Sequence, residues 1–290
     1  MPELYEVVER PDLEAPVLVC ILDGWVDAGL GAQNARTALL DGLETVTVAT
    51  FDADVLLDQR ARRPVMHLEQ GLLTGLSWPG IELRAASDED GNDILLLVGA
   101  EPDHLWRAFT REAMDLALDL GARLTVTLGA YPAPVPHTRL TQLACSASDE
   151  DLARHCQVRS TIDVPAGIHA ALERRSHDVG VPAIGLWAQV PHYASAMPSP
   201  ASSAALVDGL AEIGGLSLPV GDLRQAAETT RQRIDELVSS NPEHLEMVRR
   251  LEELYDDSLG GGAGLGSGPL PSGDELAAEL ERFLREQGGP

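Results

Sequence analysis

A run of six apolar residues, 17–22, constrains the fold of this chain more than any other segment. Such a run leaves no polar side to face water, so it predicts a strand buried on both faces of a sheet. The run ends at Asp23 and Gly24, a helical pattern follows over 32–43, and a second strand is predicted over 46–51. This order of strand, helix and strand predicts a parallel crossover.

The same alternation continues towards the C-terminus. Strands are predicted over 66–70, 81–87, 94–98, 124–128 and 183–188, and helices over 105–120, 167–179 and 202–213. The acidic turn 88–93 indicates that the strands on either side of it form a hairpin. Helices on both faces of a mostly parallel central sheet make an α/β three-layer sandwich, and we assign residues 1–219 to this core domain.

Beyond Pro219 the strand patterns stop. Apolar residues at helical spacing predict a helical hairpin over 220–257, packed either on its own core or on a neighbouring subunit. Residues 258–273 are rich in Gly, Ser and Pro and predict a flexible linker. Residues 274–290 predict an amphipathic helix, which either docks on a partner surface or forms a frayed tail. Its apolar face consists of Leu276, Leu280, Phe283 and Leu284.

Composition excludes several classes of function. The 290 residues contain 46 acidic and 21 basic side chains, and all the basic ones are arginines. A formal charge of -25 disfavours binding to nucleic acid or to an anionic membrane, since both require clustered positive charge. Without lysine, Schiff-base chemistry, pyridoxal phosphate attachment and lysine-bearing phosphate loops are all impossible.

The cysteines and the N-terminus predict a cytoplasmic protein. Cys20, Cys145 and Cys156 cannot all pair within one chain, and we expect them to be buried thiols in a reducing compartment. The N-terminal residues lack the pattern of a secretory signal. No run approaches the roughly 18 apolar residues of a membrane span.

Polar residues collect where a parallel sheet would place a pocket, in the loops after the carboxyl ends of its strands. These loops supply eleven candidate pocket residues: Asp23, Gly24, Asp27, Gly29, Glu101, Tyr131, His137, Thr138, Arg139, His192 and Tyr193. Arg62 and Arg139 are the candidate anion-binding residues, because guanidinium groups form paired hydrogen bonds with carboxylates and phosphates.

Each of these groups also has a structural interpretation. Asp23, Asp27 and Glu101 could hold magnesium, but carboxylates near a helix start commonly cap it. His137 and Arg139 could bind an anion, or could instead pair with carboxylates of the fold. Gly29 and Gly31 lie too far past the first strand for a dinucleotide-binding turn. No hydrolase, zinc or nucleotide-loop motif occurs, and no metal or cofactor is predicted.

Several segments, in this order, resemble the actinobacterial branch of the proteasome assembly chaperone 2 family. They are 22–29, 128–131, 136–139, 191–193 and 198–200, and the likeness covers about 17–255. The resemblance implies a fold similar to the phosphorylase/hydrolase-like sandwich of purine nucleoside phosphorylases. It also implies homo-oligomers, with a trimer favoured, and no established enzymatic activity among bacterial members.

Relatives in eukaryotes and archaea bind proteasome α-rings, so the resemblance makes proteasome subunits candidate partners. Those relatives use a C-terminal hydrophobic-Tyr-X tail, whereas this chain ends with residues 285–290, Arg-Glu-Gln-Gly-Gly-Pro. This departure puts docking by that route in doubt.

Two functions follow from the sequence. The first is a non-enzymatic, oligomeric protein that works through protein contacts, like an assembly chaperone. The second is a small-molecule binder or enzyme of nucleoside-phosphorylase/hydrolase-like type, with its pocket at the carboxyl ends of the strands.

Overall fold

A computed structural model describes residues 3–159 and 161–260 as an eight-stranded sheet covered by helices, with a separate two-stranded hairpin. The strands are β1 (Tyr5–Val7), β2 (Val17–Asp23), β3 (Val46–Phe51), β4 (Val65–Glu69), β5 (Leu72–Ser77), β6 (Ile81–Ser87), β7 (Asp93–Ala100), β8 (Leu124–Ala133), β9 (Leu143–Ala147) and β10 (Ala183–Pro191). The helices are α1 (Gly31–Gly42), α2 (Ala53–Leu56), α3 (Trp106–Asp119), α4 (Glu150–Ala153), α5 (Ile168–Asp178), α6 (Pro200–Gly214), α7 (Leu223–Ser239) and α8 (Pro242–Gly260).

The sheet order is β1-β3-β6-β7-β2-β8-β10-β9. Its centre consists of β7, β2, β8 and β10, which are mutually parallel. Antiparallel strands complete both sides, and β6 and β7 form the predicted hairpin. β3 runs in the same direction as β2, as predicted, but β7 and β6 lie between them, so the first crossover passes over two strands.

The apolar run in β2 explains the three layers. Leu18, Cys20 and Leu22 join a core that includes residues of α3 and α5, on one side of the sheet. The alternate residues of β2 join a second core with α1 and α6, on the other side. Because helices cover both faces of the strand, neither set of side chains can be polar. The predicted α/β sandwich with a mostly parallel central sheet is confirmed.

The α7–α8 hairpin packs on the core of its own chain. Ile234 and Val238 of α7 and Val248 of α8 form a small buried cluster with Ala194. Tyr255, on the last turns of α8, is also buried, and its hydroxyl donates to the carbonyl oxygen of Leu140 at 2.8 Å. Helix α8 ends at Gly260. The rest of the predicted linker and the predicted helix 274–290 lie outside the described residues.

The expectation of three free thiols is wrong for two of them. Cys145 on β9 and Cys156, just after α4, form a disulfide, with Cα atoms 5.4 Å apart. Only Cys20 is a free and buried thiol. No strand was predicted at β9, so the spacing of the other two cysteines did not show that they lie close together. Across residues 3–159 and 161–260, no helix is long and apolar enough to cross a membrane.

The aromatic contact between α3 and the sheet provides a test of the core. Phe109 is fully buried, and its ring lies 5.0 Å from that of Phe51, centroid to centroid. Phe109→Ala should therefore lower the free energy of unfolding by about 3–5 kcal/mol in urea titrations. Leu118→Ala, on the exposed side of the same helix, should cost less than about 1 kcal/mol. Equal losses in both variants would contradict this packing.

Candidate functional site

Asp23, Gly24 and Glu101 meet at the carboxyl ends of β2 and β7, as the sequence predicts. The amide of Glu101 donates to the carbonyl oxygen of Asp23 at 2.6 Å. The buried Glu101 carboxylate accepts the amide of Ile168 at 2.7 Å, and so caps the first turn of α5. The Asp23 carboxylate accepts from Arg36 of α1 at 2.6 Å. The acidic groups of this corner therefore hold helices in place, Glu101 at the start of α5 and Asp23 through Arg36 in the middle of α1.

Arg62 covers this corner. Its Nη1 donates to the carbonyl oxygen of Asp23 at 3.2 Å, and its Nε to Asp103 at 3.1 Å. Gly24 has a positive φ of 147°, and a Cβ there would lie 2.5 Å from Nη2 of Arg62. Glycine is therefore required for the guanidinium to approach the backbone this closely. Arg62, a candidate anion-binding residue, already has anionic and carbonyl partners within the chain.

Asp27 and Gly29 shape the entry into α1. The Asp27 carboxylate accepts the amides of Ala32 and Gln33 at 2.8 and 3.0 Å, which is a helix cap. Burial raises the pKa of Asp27, and these two amide bonds oppose the rise. Gly29 has φ 60°, and its backbone exchanges hydrogen bonds with Ser195 and Ser199. These residues join the first loop to the loop that precedes α6.

His169, in the first turn of α5, lies beside these residues and was not predicted from the sequence. It is 5% exposed and lines a small crevice with Asp23, Gly24 and Asp27. Its Nε2 accepts the amide of Leu22 at 3.1 Å, so that nitrogen carries no proton. Burial lowers the pKa of His169 to about 4. The sequence signal that could have identified His169 is the position of a histidine within an apolar helical pattern.

Glu173, one turn further along α5, was also missed. Its carboxylate accepts hydroxyl bonds from Thr127 and Ser146, both at 2.6 Å. Gly185 of β10 leaves the space that this carboxylate fills. Burial raises the pKa of Glu173, and the two hydroxyl bonds oppose the rise. This face of α5 is therefore polar where it meets the sheet.

The loop after β8 holds the second set of predicted residues, and it is fastened to the α7–α8 hairpin. His137 contacts the Tyr193 hydroxyl through Nδ1 at 2.6 Å and Asp235 through Nε2 at 3.0 Å. Thr138 donates to Glu252. We call the contacts of His137, Thr138 and Arg139 with α7 and α8 the hairpin clamp.

Arg139 makes the strongest contacts of the hairpin clamp. Its Nε and Nη2 donate to the two carboxylate oxygens of Asp256 at 2.9 and 2.7 Å, and Nη1 reaches Glu252 at 3.2 Å. The hydrogen bonds that Arg139 donates to Asp256, together with the negative charges of Asp256 and Glu252, raise the pKa of Arg139 above its ordinary value. Arg139, the other candidate anion-binding residue, thus has two carboxylate partners within the chain.

The remaining predicted residues lie near the hairpin clamp. Tyr131 accepts a hydrogen bond from Gln189 at 2.8 Å, and burial raises its pKa. Burial likewise raises the pKa of Tyr193 to about 12. His192 packs edge-on against Tyr193, and its buried Nδ1 has no hydrogen-bond partner in the part of the chain that the structure describes.

The structure does not bring the two sets of residues into one pocket. Asp23 and Asp27 line the crevice beside His169, whereas His137 and Arg139 line another crevice against α7. Most of the predicted side chains serve as helix caps or in ion pairs. Within residues 3–159 and 161–260, no three His, Cys, Asp or Glu side chains are grouped in a way that could hold a metal ion.

A surface that the sequence analysis did not recognise lies on the separate hairpin of β4 and β5. Both strands pair only with each other, and every residue of β4 is exposed. Seven large apolar side chains protrude here: Val65, Met66, Leu68, Leu72, Leu73, Leu76 and Trp78. Apolar patches on this scale commonly mark sites of protein contact.

Solved structures with a similar architecture come from Mycobacterium tuberculosis and Streptomyces avermitilis. A Mycobacterium tuberculosis protein of unknown function is 35% identical, covers 100% of this chain and 98% of its own, and superposes with a TM-score of 0.83. A PAC2 family protein from Streptomyces avermitilis is 34% identical, with coverage of 80% and 99% and a TM-score of 0.72. A Mycobacterium tuberculosis proteasome-assembly chaperone homologue is 29% identical, with coverage of 80% and 99% and a TM-score of 0.74.

The fold and these likenesses define a class of three-layer α/β sandwich proteins that carry C-terminal helices. The model of the PAC2 family matches residues 21–238. The chain belongs to the PAC2 family, as its sequence resemblance predicts. No curated protein matches the chain.

His169 should make stability depend on pH. Its pKa is near 6.5 when unfolded and about 4 when folded, so only the unfolded state binds a proton between these values. The contribution of neutral His169 to the free energy of unfolding is complete above pH 6.5. It is lost as the pH falls towards 4, and the loss amounts to up to about 3 kcal/mol. In urea titrations at pH 7, 5.5 and 4.5, His169→Gln should lose stability less steeply than the wild type. His177→Gln, exposed on the same helix, should keep the wild-type slope, and an unchanged slope in His169→Gln would refute this assignment.

The hairpin clamp should control how tightly α8 is held. Arg139→Ala removes three hydrogen bonds to α8, so amides of α8 should exchange with deuterium at least tenfold faster. Arg250→Ala, whose partner Glu246 lies on the same helix, is the matched control and should leave exchange unchanged. Equal protection in both variants would show that the apolar cluster alone holds the hairpin.

Proposed function

We propose that this protein is a non-enzymatic, oligomeric assembly chaperone that acts through protein contacts. The proposal rests on a contrast between the polar residues of the predicted pocket and the apolar residues of the β4–β5 hairpin. The polar residues expected to form a pocket serve in caps and ion pairs, while the apolar residues of β4 and β5 face solvent. A catalytic site needs polar groups that converge on a substrate, whereas a chaperone needs apolar surface available to its client.

Membership of the PAC2 family supports this proposal. One of the similar structures is a proteasome-assembly chaperone homologue, and its fold extends over 80% of this chain. Proteasome subunits are therefore the client that we propose. Surfaces of β4, β5 and the α7–α8 hairpin provide exposed leucines for such contacts.

The alternative is a small-molecule binder of nucleoside-phosphorylase type. The partly open crevice beside the hairpin clamp, lined by Gln189, Pro191 and Ile234, is the surface of the clamp region that a ligand could enter. Arg62 and Arg139 argue against an anionic ligand, because a phosphate would have to displace carboxylates from both guanidinium groups.

Reconstitution separates the two functions. Purified actinobacterial proteasome α-type and β-type subunits are mixed with and without this chain, and assembled particles are followed on native gels. The proposal predicts several-fold faster assembly. Arg62→Gln, which removes a candidate anion-binding group and leaves the apolar surface intact, should be as effective as the wild type.

Thermal unfolding with phosphate and nucleosides tests the alternative. A ligand at about 100 times its dissociation constant should stabilise the protein by about 2.7 kcal/mol. Stabilisation in the wild type that is lost in Gln189→Ala, a change in the lining of the crevice beside the hairpin clamp, together with an unchanged assembly rate, would overturn the proposed function.

A further inference from the structure

The segment 149–158, which we call the edge cover, lies against one end of the main sheet. β9 is the last strand in the sheet order, so no further strand of residues 3–159 or 161–260 pairs with its outer edge. The amide of Val158 donates to the carbonyl oxygen of Leu143 on this edge at 3.3 Å, and the amide of Leu143 donates to the Gln157 side chain at 2.8 Å. The edge cover therefore occupies backbone groups that could otherwise pair with another strand.

Hydrogen bonds fix the start of the edge cover. Ser148 precedes it, and the amide of Ser148 donates to the carbonyl oxygen of Ala183 on β10 at 2.8 Å. The amide of Ala183 donates to the Ser148 hydroxyl at 3.0 Å. Ser148 is therefore a fixed point from which the rest of the segment can move.

Few noncovalent contacts hold the remainder of the edge cover. Val158 is buried and Leu152 is partly buried against the core, but no residue of α4 is fully buried. α4 has only four residues, and a helix this short is not stable in water without tertiary support. Cys156 is joined covalently to Cys145 on β9. We therefore expect the order of the edge cover to depend on this disulfide.

Solvent can reach the disulfide. Cys145 and Cys156 are each partly exposed, whereas Cys20 is fully buried. Burial also raises the pKa of the Cys20 thiol. Because the thiolate is the reactive form of cysteine, Cys20 is inert by comparison. Thiol chemistry among the three cysteines is therefore confined to Cys145 and Cys156.

Positive charge lies next to Cys156. Arg154 and His155 precede it, Arg159 follows it, and all three side chains are exposed. The acidic residues of α4 lie in its first turn, at the other end of the edge cover. Cationic neighbours stabilise a thiolate, which makes its sulfur the better leaving group. Cys156 is therefore the expected leaving sulfur when the disulfide is cleaved.

We propose that Cys145 and Cys156 are a site of reversible thiol–disulfide exchange, which fastens or releases the edge cover. A thiolate of a dithiol reductant attacks the Cys145 sulfur, the bond to Cys156 breaks, and Cys156 leaves as a thiolate. The second thiol of the reductant, as its thiolate, attacks the mixed disulfide and releases Cys145. The reductant becomes a disulfide, and the two electrons and two protons that it loses are gained by the two cysteines.

Reduction changes the surface at this end of the sheet. When the edge cover is released, the amide and the carbonyl oxygen of Leu143 lose their partners, Gln157 and Val158. The outer edge of β9 then becomes free to pair with another strand. This inference goes beyond the proposed function and does not rest on it, because its test needs no proteasome subunit.

Hydrogen exchange in two redox states tests the proposal. The full chain is incubated at neutral pH with dithiothreitol or with oxidised glutathione, and deuterium uptake is measured by mass spectrometry. Amides of 149–158 should exchange about tenfold faster after reduction, while amides of β8 stay protected in both states. Cys145→Ser/Cys156→Ser should exchange fast in both states. Cys20→Ala, the matched control, should follow the wild type in each, and circular dichroism confirms that both variants are folded.

Alkylation measures the exchange reaction itself. Iodoacetamide labelling and peptide mass spectrometry count free thiols during reduction by dithiothreitol. Arg154→Gln/His155→Gln should slow the reduction about threefold, because it removes positive charge beside Cys156. Arg174→Gln, an exposed arginine on α5, should keep the wild-type rate. Free thiols at both Cys145 and Cys156 after treatment with oxidised glutathione would overturn the proposal. So would equal exchange of the edge cover in the two redox states, which would show that noncovalent contacts hold it.

Discussion

Burial of β2 on both faces is the constraint on which the rest of the structure depends. With α1 and α6 packed on one side and α3 and α5 on the other, the strand can expose polar groups only at its ends. Its carboxyl end therefore leads into polar residues: Asp23 binds Arg36 of α1, and Asp27 caps α1. Gly24, between them, leaves room for the Arg62 side chain. The loop after β2 has the polar residues expected of a catalytic pocket, but in the structure these residues join the sheet to the helices that cover it.

Local patterns predicted the central part of the fold. Burial on two faces leaves a continuous apolar run, so β2, β7, β8 and β10 were found within a few residues of their ends. β9 was missed because the strand it pairs with, β10, is distant in sequence, and β5 because its residues are almost all exposed and leave no pattern of burial. Cys145 lies on β9, and because β9 was not predicted, the disulfide between Cys145 and Cys156 was not predicted either.

The candidate site shows a different limit of sequence reasoning. A carboxylate that caps a helix and one that activates a substrate have the same local sequence. Asp27 and Glu101 are distinguished only by the amides that point at them from α1 and α5. Arg139 likewise acquires its partners from α8, more than 100 residues away.

The distance in sequence between the loop after β8 and helix α8 has a consequence for biosynthesis. Thr138 and Glu252 are 114 positions apart, so the loop after β8 emerges from the ribosome long before α8 exists. At about 5–20 residues per second, the delay is on the order of ten seconds. During this interval a nascent chain exposes His137 and Arg139 and has no α8 surface. The loop after β8 therefore reaches its final contacts only in chains whose synthesis has passed α8.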